Sequence, residues 1–442
     1  MQYYSTKKPQ NTATLEEAVL KGLADDNGLY MPAHIPVLPR AFMNNLSSMT
    51  LQDMSFAVAN YATQGDLDSQ VLHDVINETL NFDIPLHHVA GNRFTLELYH
   101  GPTMSFKDIG ARFMGRMFAH YTQNRPGCIN VLVATSGNSG GAVANGFFGI
   151  PGVRVYVLYP QDTLSNLQEA QFTTLGGNIT AIEVNGSLED CQEMVLEALT
   201  DKALNEQMTL TSAKTINIAR LLPQMFYYFW AYAKLAERHE QHQPSVVFSV
   251  PCGNLGNLTA GIIAKKMGLP IKRLIASDNK NDIFTHYLKT GEFIARKAAP
   301  SIAPAMDIGH PRNFERIGQL LPNHKALREQ VQGVAYSDQE IADTILTTWK
   351  QENYLLDPQG ATAYQGLIDC LQPGEAGIAL ATAHPAKFIE TIERIIGTDI
   401  PVPAPMFRFL NGIRHVTSMS NGYRALRNFL ITQQNPKKKS HV

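Results

Sequence analysis

Four segments of the chain place small polar residues between an apolar run and a helical stretch. They are residues 101–108, 135–142, 251–259 and 381–388. If the apolar runs pair as parallel strands, these loops lie at the carboxyl ends of the strands, where open α/β sheets bind ligands. Helix N-termini at that edge present N–H groups and the positive end of the helix dipole, which attract anions. The pattern therefore predicts a binding site for an anionic small molecule.

Lys107 is the residue of these loops whose type and position best suit covalent chemistry. It stands beside Phe106 at the start of a helical stretch, where the helix dipole opposes a positive charge. Partial burial and the dipole both lower the pKa of a lysine, and the neutral amine is the form that makes an imine. A surface position is the ordinary alternative for any single lysine, but the neighbouring loops favour the chemical interpretation here.

The glycine-rich loops form the second part of the predicted site. In residues 135–142, hydroxyls and backbone amides could hold a carboxylate or a phosphate, although an ordinary strand-to-helix turn explains this loop about equally well. In residues 251–259, closely spaced glycines let backbone amides approach a phosphate. The first loop lacks the ending of a P-loop, and the second lacks the glycine spacing of a dinucleotide site. Taken alone, Thr382 is equally a simple helix cap and His384 a structural histidine.

The elements that must position these loops are short apolar runs that alternate with helical stretches. The runs cover residues 94–99, 129–134, 153–159, 179–184, 246–250, 274–276 and 377–381. Nearly unbroken apolar strands separated by helices predict a parallel sheet covered on both faces. The first ninety or so residues are predicted to be mostly helical, with stretches at 14–20 and 69–80, and residues 217–238 are predicted to form a large buried helix.

Length and composition limit the possible function classes. A chain of 442 residues, 44% of them hydrophobic, is long enough for two or three well-packed domains of about 100–200 residues each. A formal net charge of −2 argues against a nucleic-acid partner, because phosphates demand dense positive charge. No apolar run approaches the ~20 residues that span a bilayer, and no secretory signal is recognisable. We therefore expect a cytoplasmic protein with no membrane partner.

The four cysteines, Cys128, Cys191, Cys252 and Cys370, are scattered along the chain. They form no CxxC pair and have no histidine at zinc-finger spacing, so we expect reduced thiols, no disulfide framework and no metal site. The basic tail at residues 437–439 is expected to be a solvated terminus.

In their order along the chain, these segments resemble the pyridoxal-phosphate (PLP) enzymes of the tryptophan-synthase-β fold type, fold type II. More narrowly, they resemble the threonine synthases of bacteria and fungi, along nearly the whole chain. The matching segments are YYST at 3–6, EAVLKGL at 17–23, GLY at 28–30, HIP at 34–36, HGPT at 100–103, SFKD at 105–108, LGGN at 175–178, INIAR at 216–220 and AHPAKF at 383–388. Several such motifs in the right order are specific, whereas no single one would be.

The resemblance implies an α/β fold with two parallel-sheet domains, the cofactor between them, and a mostly helical N-terminal region. We expect the helical region over residues 1–90 and a smaller α/β domain over 91–220, which carries Lys107 and the 136–140 loop. A larger α/β domain is expected over 221–442, with the 253–257 loop and the 382–388 segment. The implied partner is a phosphorylated amino acid as substrate, and we expect a monomer or a homodimer.

The resemblance also assigns roles to individual positions. Lys107 would be the catalytic lysine, which holds PLP as a Schiff base. The remaining cofactor contacts are assigned to Asn138 at ring oxygen O3′, to Thr382 at the pyridine nitrogen, and to Gly253, Asn254, Leu255, Gly256 and Asn257 at the phosphate. Substrate contacts are assigned to Ser136, Gly137 and Ser139 around the carboxylate and to Asn217 and Arg220 near the phosphate. Arg220 is the better phosphate ligand of the last two, because a guanidinium can pair bidentately.

The implied reaction converts O-phospho-L-homoserine and water to L-threonine and phosphate. The chain departs from the usual family residues at Lys214, Pro304, Gln359 and Gly360, in segments expected to face the substrate. One alternative is therefore a paralogue that performs PLP-dependent elimination or replacement on a different phosphorylated or activated amino acid. A PLP- or metabolite-binding protein without turnover is the non-enzyme alternative, and the presence of Lys107 and Thr382 argues against it.

Overall fold

The computed structural model describes residues 2–238 and 244–434 of the chain. Within them the strands are β1 Tyr3–Ser5, β2 Thr12–Ala13, β3 Tyr30–Pro32, β4 Leu86–Ala90, β5 Arg93–Glu97, β6 Ile129–Ala134, β7 Val153–Pro160, β8 Ile179–Asn185, β9 Thr209–Thr211, β10 Ser245–Pro251, β11 Ile271–Asp278, β12 Val331–Ala335, β13 Glu375–Ala381 and β14 Val416–Ser420. The tail at 437–439, predicted to be solvated, lies outside the described residues.

The helices alternate with these strands. They are α1 Leu15–Lys21, α2 Arg40–Asn44, α3 Leu51–Thr63, α4 Ser69–Thr79, α5 Lys107–Thr122, α6 Asn138–Phe147, α7 Asn166–Thr173, α8 Leu188–Thr200, α9 Lys202–Asn205, α10 Ile218–Leu221, α11 Phe226–Arg238, α12 Gly256–Lys266, α13 Ile283–Thr290, α14 Phe314–Leu320, α15 His324–Arg328, α16 Asp338–Glu352, α17 Pro358–Cys370, α18 Ile389–Ile396, α19 Ala404–Leu410 and α20 Tyr423–Gln434. Short 3-10 helices cover Leu46–Ser48, Leu222–Met225, Pro304–Met306 and Pro385–Phe388. Among the described residues, no helix has the length and apolar character needed to cross a membrane.

Two large sheets organise the fold. The six-stranded sheet has the order β12-β11-β10-β13-β5-β4 and is parallel except for its edge strand β4. The five-stranded sheet has the order β14-β8-β7-β6-β9 and is parallel throughout. All seven residues of β13 are buried, as expected for a strand covered on both faces. The predicted α/β class with two parallel sheets is confirmed.

All seven predicted apolar runs form strands, namely β5, β6, β7, β8, β10, β11 and β13, while the other described strands were not predicted. The predicted helix over 217–238 needs a correction. That stretch is divided into α10, a 3-10 turn over Leu222–Met225, and α11. Pro223 lies in the 3-10 turn, and a proline has no N–H to donate to an α-helical hydrogen bond. The N-terminal region also contains the small antiparallel sheet β2-β1-β3 beside its helices.

The sheets do not follow the contiguous segments into which the sequence was divided. β4 and β5 precede residue 100 in the chain, yet they complete the six-stranded sheet, and the C-terminal β14 completes the five-stranded one. The reason is long-range pairing, because β5 lies parallel to β13 with Phe94 opposite Ile378. The division at residues 90 and 220 stays a prediction about domains. The pairing itself places the loop after β5 beside the loop after β13.

Helices α5 and α6 pack closely because each presents a glycine to the other. A Cβ on Gly115 would collide with the carbonyl oxygen of Gly146, and a Cβ on Gly146 would lie 2.7 Å from the carbonyl oxygen of Ala111. Protein interiors have too little free space to absorb such an overlap without backbone movement. Both helices begin at residues of the predicted site, so this contact also fixes the separation of Lys107 and Asn138.

We predict that Gly115→Ala lowers the free energy of unfolding by roughly 1–3 kcal/mol, because the new methyl group overpacks the contact between α5 and α6. Gly318→Ala is the matched control, since Gly318 lies in α14 with no atom within 4 Å of a Cβ position. There the change should stabilise the helix by about 0.5–1 kcal/mol. Denaturant unfolding of the two variants checks the pair, and equal effects would contradict the packing argument.

Candidate active site

Parallel pairing of β5, β13 and β10 brings three of the four predicted loops to one edge of the six-stranded sheet. The loop after β5 is also fastened to the loop after β13 by main-chain hydrogen bonds. The N–H of Phe106 donates to the carbonyl oxygen of Thr382 at 2.9 Å, and Ser105 forms a β-bridge with Ala383. Lys107 directly follows Phe106 and is the first residue of α5, so its position is fixed relative to Thr382.

The Lys107 amine faces a cavity lined by loops from both sheets. Its Nζ donates to the Ser139 hydroxyl at 3.0 Å. Burial, together with the nearby guanidinium of Arg220, lowers the pKa of Lys107 to about 8. The adjacent Asp108 carboxylate does not pair with this amine, because it accepts from the N–H and hydroxyl of Thr103 at 2.8 and 2.6 Å. The amine is therefore neutral more often than an exposed lysine at the same pH.

The loop after β10 forms a backbone cradle at the start of α12. Leu255 adopts the left-handed conformation with φ 59°, and no side chain caps the helix. The N–H groups of the first turn are thus available to an anion. A Cβ on Gly253 would lie 3.0 Å from the carbonyl oxygen of Ala305 and 3.1 Å from the Cα of Met306, so a larger residue would crowd the backbone of the neighbouring segment.

Asn254 is held in this cradle from three directions. Its side-chain oxygen accepts from the N–H of Arg312 at 2.6 Å, and its side-chain nitrogen donates to Thr215 at 3.1 Å. Its carbonyl oxygen accepts from Asn313 at 2.8 Å. Asn313 is held in turn by the buried Arg316, whose guanidinium also donates to the carbonyl oxygen of Tyr30. The N-terminal region thereby supports the cradle.

The cavity contains about 940 Å³ of space not filled by protein, part of it open to solvent. Most of the residues assigned to the site from the sequence lie on its wall. These are Lys107, Ser139, Arg220, Gly253, Asn254, Leu255, Gly256, Asn257 and Thr382. The tertiary structure therefore brings together loops that are up to 275 residues apart in the chain, from Lys107 to Thr382.

Four of the assigned residues do not line this cavity. Ser136 and Gly137 form the turn before α6, and Gly137 has φ 124°, a conformation that favours glycine. Asn138 begins α6, and its buried side-chain oxygen has no hydrogen-bond partner in the described part of the chain. The Asn217 side chain donates to the carbonyl oxygen of Val19 and accepts from the N–H of Ala219. Its side-chain nitrogen and its side-chain oxygen therefore both have partners within the protein.

Several wall residues were not assigned from the sequence. They include Thr215, Gln224, Asn313 and Gln359. Gln359 carried a signal in the sequence, because it departs from the usual family residue, and Thr215 directly follows Lys214, which also departs. Gln224 and Asn313 carried none, because Gln224 lies in a 3-10 helix and Asn313 just before α14, in segments with no motif of their own.

The comparisons with known proteins agree with this geometry. Residues 86–380 match the family of pyridoxal-phosphate dependent enzymes, residues 2–80 match the threonine synthase N terminus, and residues 359–430 match the threonine synthase C-terminal family. The chain is 40% identical to the threonine synthase of Haemophilus influenzae, over 98% of this chain and 100% of that protein. This chain belongs to the threonine synthase family.

Solved structures of threonine synthases have the same fold. The PLP-bound enzyme of Brucella melitensis superposes with a TM-score of 0.91 at 30% identity, over 97% of this chain and 98% of that chain. The Escherichia coli enzyme superposes with a TM-score of 0.89 at 35% identity, over 98% of this chain and 100% of that chain. The predicted family, the fold class and the PLP cofactor are confirmed.

The residues on the cavity wall also fit PLP, independently of the similarity to known proteins. The uncapped start of α12 suits a phosphate, and the Lys107 amine suits an aldehyde. Three wall side chains also carry buried polar atoms without a hydrogen-bond partner among the described residues, namely Gln224, Asn257 and Gln359. Such atoms are costly to bury unpaired, so they favour a polar ligand at this position.

We predict that PLP attaches to the cofactor-free protein at a rate set by the lowered pKa of Lys107. Because only the neutral amine reacts, the rate should increase about tenfold per pH unit below pH 8 and level off above it. The ordinary lysine pKa of 10.5 would instead give a rise that continues well past pH 9. Stopped-flow absorbance checks this, with borohydride trapping and mass spectrometry to locate the modified lysine, and a rate still rising above pH 9 would contradict it.

Proposed function

We propose that this protein converts O-phospho-L-homoserine and water to L-threonine and phosphate with PLP as cofactor. The observation that carries the proposal is the meeting of the Lys107 amine with the glycine cradle of α12 in one cavity. The similarity to threonine synthases over nearly the full chain supports it. The same similarity disfavours both a paralogue with another substrate and a binding protein without turnover. We also propose a cytoplasmic location and a monomer or homodimer.

Three groups of residues would hold the cofactor. Lys107 binds it covalently through the amine, and the segment 253–257 with the first turn of α12 binds its phosphate through backbone N–H groups. The Thr382 hydroxyl meets the pyridine nitrogen. A hydroxyl carries no charge, so it leaves that nitrogen largely unprotonated. When bound, PLP draws electrons from the substrate carbon that loses a proton.

The Lys107 amine is the base that this reaction needs. A pKa of about 8 lies close to a neutral working pH, which is where a general acid–base group is most efficient. When its amine is free, Lys107 would remove the proton from the substrate α-carbon. Ser139 holds the Nζ atom at 3.0 Å and limits the directions in which it moves.

Arg220 is our candidate for the substrate phosphate. Its side chain is 3% exposed, and it donates to the carbonyl oxygen of Ala213 at 3.0 Å. No carboxylate forms an ion pair with it among the described residues. A buried guanidinium with unused donors stabilises a leaving phosphate by charge and by paired hydrogen bonds.

The 136–139 turn is our candidate for the substrate carboxylate, with Ser139 as the member on the cavity wall. Asn138 stays a proposed partner of ring oxygen O3′, supported by its buried unpaired side-chain atom. We leave Asn217 out of the proposed contacts, because its side-chain nitrogen binds Val19 and its side-chain oxygen binds Ala219. Its contribution is to the fold around Arg220.

The test of the proposed function is phosphate release and threonine formation from O-phospho-L-homoserine by the purified protein. Lys107→Ala should lower turnover by at least about a hundredfold, because the reaction loses its base and the covalent attachment. The variant should keep the wild-type circular dichroism spectrum. A wild-type protein that binds PLP but is inert to this substrate, while it turns over another phosphorylated amino acid, would contradict the proposal.

We predict that Arg220→Lys raises the KM for O-phospho-L-homoserine by about tenfold and changes the affinity for PLP by less than about twofold. A lysine keeps the charge but loses the planar pair of donors. Steady-state kinetics and PLP titration measure the two quantities separately. Weakened PLP binding with an unchanged KM would instead assign Arg220 to the cofactor phosphate.

A further inference from the structure

Gln359 is a buried side chain whose amide has no hydrogen-bond partner in the part of the chain that the structure describes. It is the second residue of α17, is 2% exposed, and lies on the cavity wall. Neither its side-chain oxygen nor its side-chain nitrogen has a hydrogen-bond partner among the described residues. Its backbone N–H donates a hydrogen bond to the Asp357 side chain at 3.1 Å.

This arrangement is unfavourable for the protein alone. A buried carboxamide without partners loses its hydrogen bonds to water and gains none in return. The same helix shows the usual outcome at Gln365, which donates to Asp369 at 2.9 Å and accepts from Thr344 at 2.8 Å. An unpaired amide on the wall of a binding cavity therefore indicates that its partner is a ligand.

The position of Gln359 identifies the part of the ligand it meets. Asp357 accepts hydrogen bonds from the N–H groups of Gln359 and Gly360, and also from that of Ala383. A Cβ on Gly360 would lie 3.7 Å from the Cα of Ala381. The start of α17 is therefore fixed beside residues 381–383, which places Gln359 at the same end of the cavity as Thr382.

We infer that the Gln359 carboxamide donates a hydrogen bond to ring oxygen O3′ of PLP. This rests on the proposed cofactor site. The Thr382 hydroxyl takes the single lone pair of the pyridine nitrogen, and Gln359 adds an N–H donor for O3′ without adding charge. The role is to position the ring, so that Lys107 and the substrate meet it in a fixed orientation.

The test compares Gln359→Met with Gln365→Met, the same substitution at a glutamine of the same helix whose amide is paired in the protein. The probe is pyridoxine 5′-phosphate, which has the ring and the phosphate of PLP but no aldehyde, so it binds without covalent attachment. The full chain, freed of cofactor, is titrated by calorimetry, and its thermal unfolding is followed without ligand.

Gln359→Met should weaken binding of the probe by about 3- to 10-fold, the effect of losing one hydrogen bond. Its unfolding temperature without ligand should equal or exceed that of the wild type, because an unpaired amide has been removed. Gln365→Met should show the reverse pattern, with unchanged binding and lower stability. Gln359→Leu should repeat the result of Gln359→Met, which guards against a packing fault in one variant.

Unchanged binding of the probe by Gln359→Met, together with a raised KM for the substrate, would overturn the inference and assign Gln359 to the substrate. Lower stability of both Gln359 variants without ligand would overturn it in favour of a structural role. If the wild type itself does not bind the probe, the proposed cofactor site fails. If the wild type binds it and Gln359→Met binds equally well, only the inference about Gln359 fails.

Discussion

The cavity is organised around two basic side chains that are shielded from water, and no carboxylate among the described residues forms an ion pair with either one. Burial lowers the pKa of Lys107 to about 8 and that of Arg220 to about 10. Each charge is poorly solvated, so the region favours a neutral amine and attracts anions at the same time. Both properties suit a cofactor with an aldehyde and a phosphate, and a substrate with a phosphate of its own.

Such a site needs a rigid support, and much of it comes from the N-terminal region. The fully buried Arg316 joins the carbonyl oxygen of Tyr30 to Asn313, which holds Asn254 in the phosphate cradle. Asn217 joins the carbonyl oxygen of Val19 to the start of α10, which carries Arg220. The region contains no assigned site residue, yet it fixes two of the surfaces on which the ligands would lie.

The buried polar atoms without partners are another feature of this wall. Asn257 accepts from the hydroxyls of Tyr227 and Tyr228 at 2.8 Å each, which leaves its side-chain nitrogen unpaired. The Gln224 side-chain nitrogen donates to the carbonyl oxygen of Arg220, and its side-chain oxygen has no partner among the described residues. Together with Gln359, these groups carry hydrogen-bonding capacity that the protein does not satisfy by itself. Their presence on one wall is consistent with a ligand rich in polar atoms.

The sequence by itself determined the seven strands that its apolar runs predict, the loops after them and Lys107, because apolar runs and helix starts are local signals. It also carried the family, through motifs in a fixed order. Only the tertiary structure decided that β5 pairs with β13, which sets Lys107 beside Thr382. It also decided that Asn217 binds within the protein, while Gln359 lies on the cavity wall with no hydrogen-bond partner for its amide among the described residues. These outcomes depend on contacts between distant segments, which no local pattern of residues records.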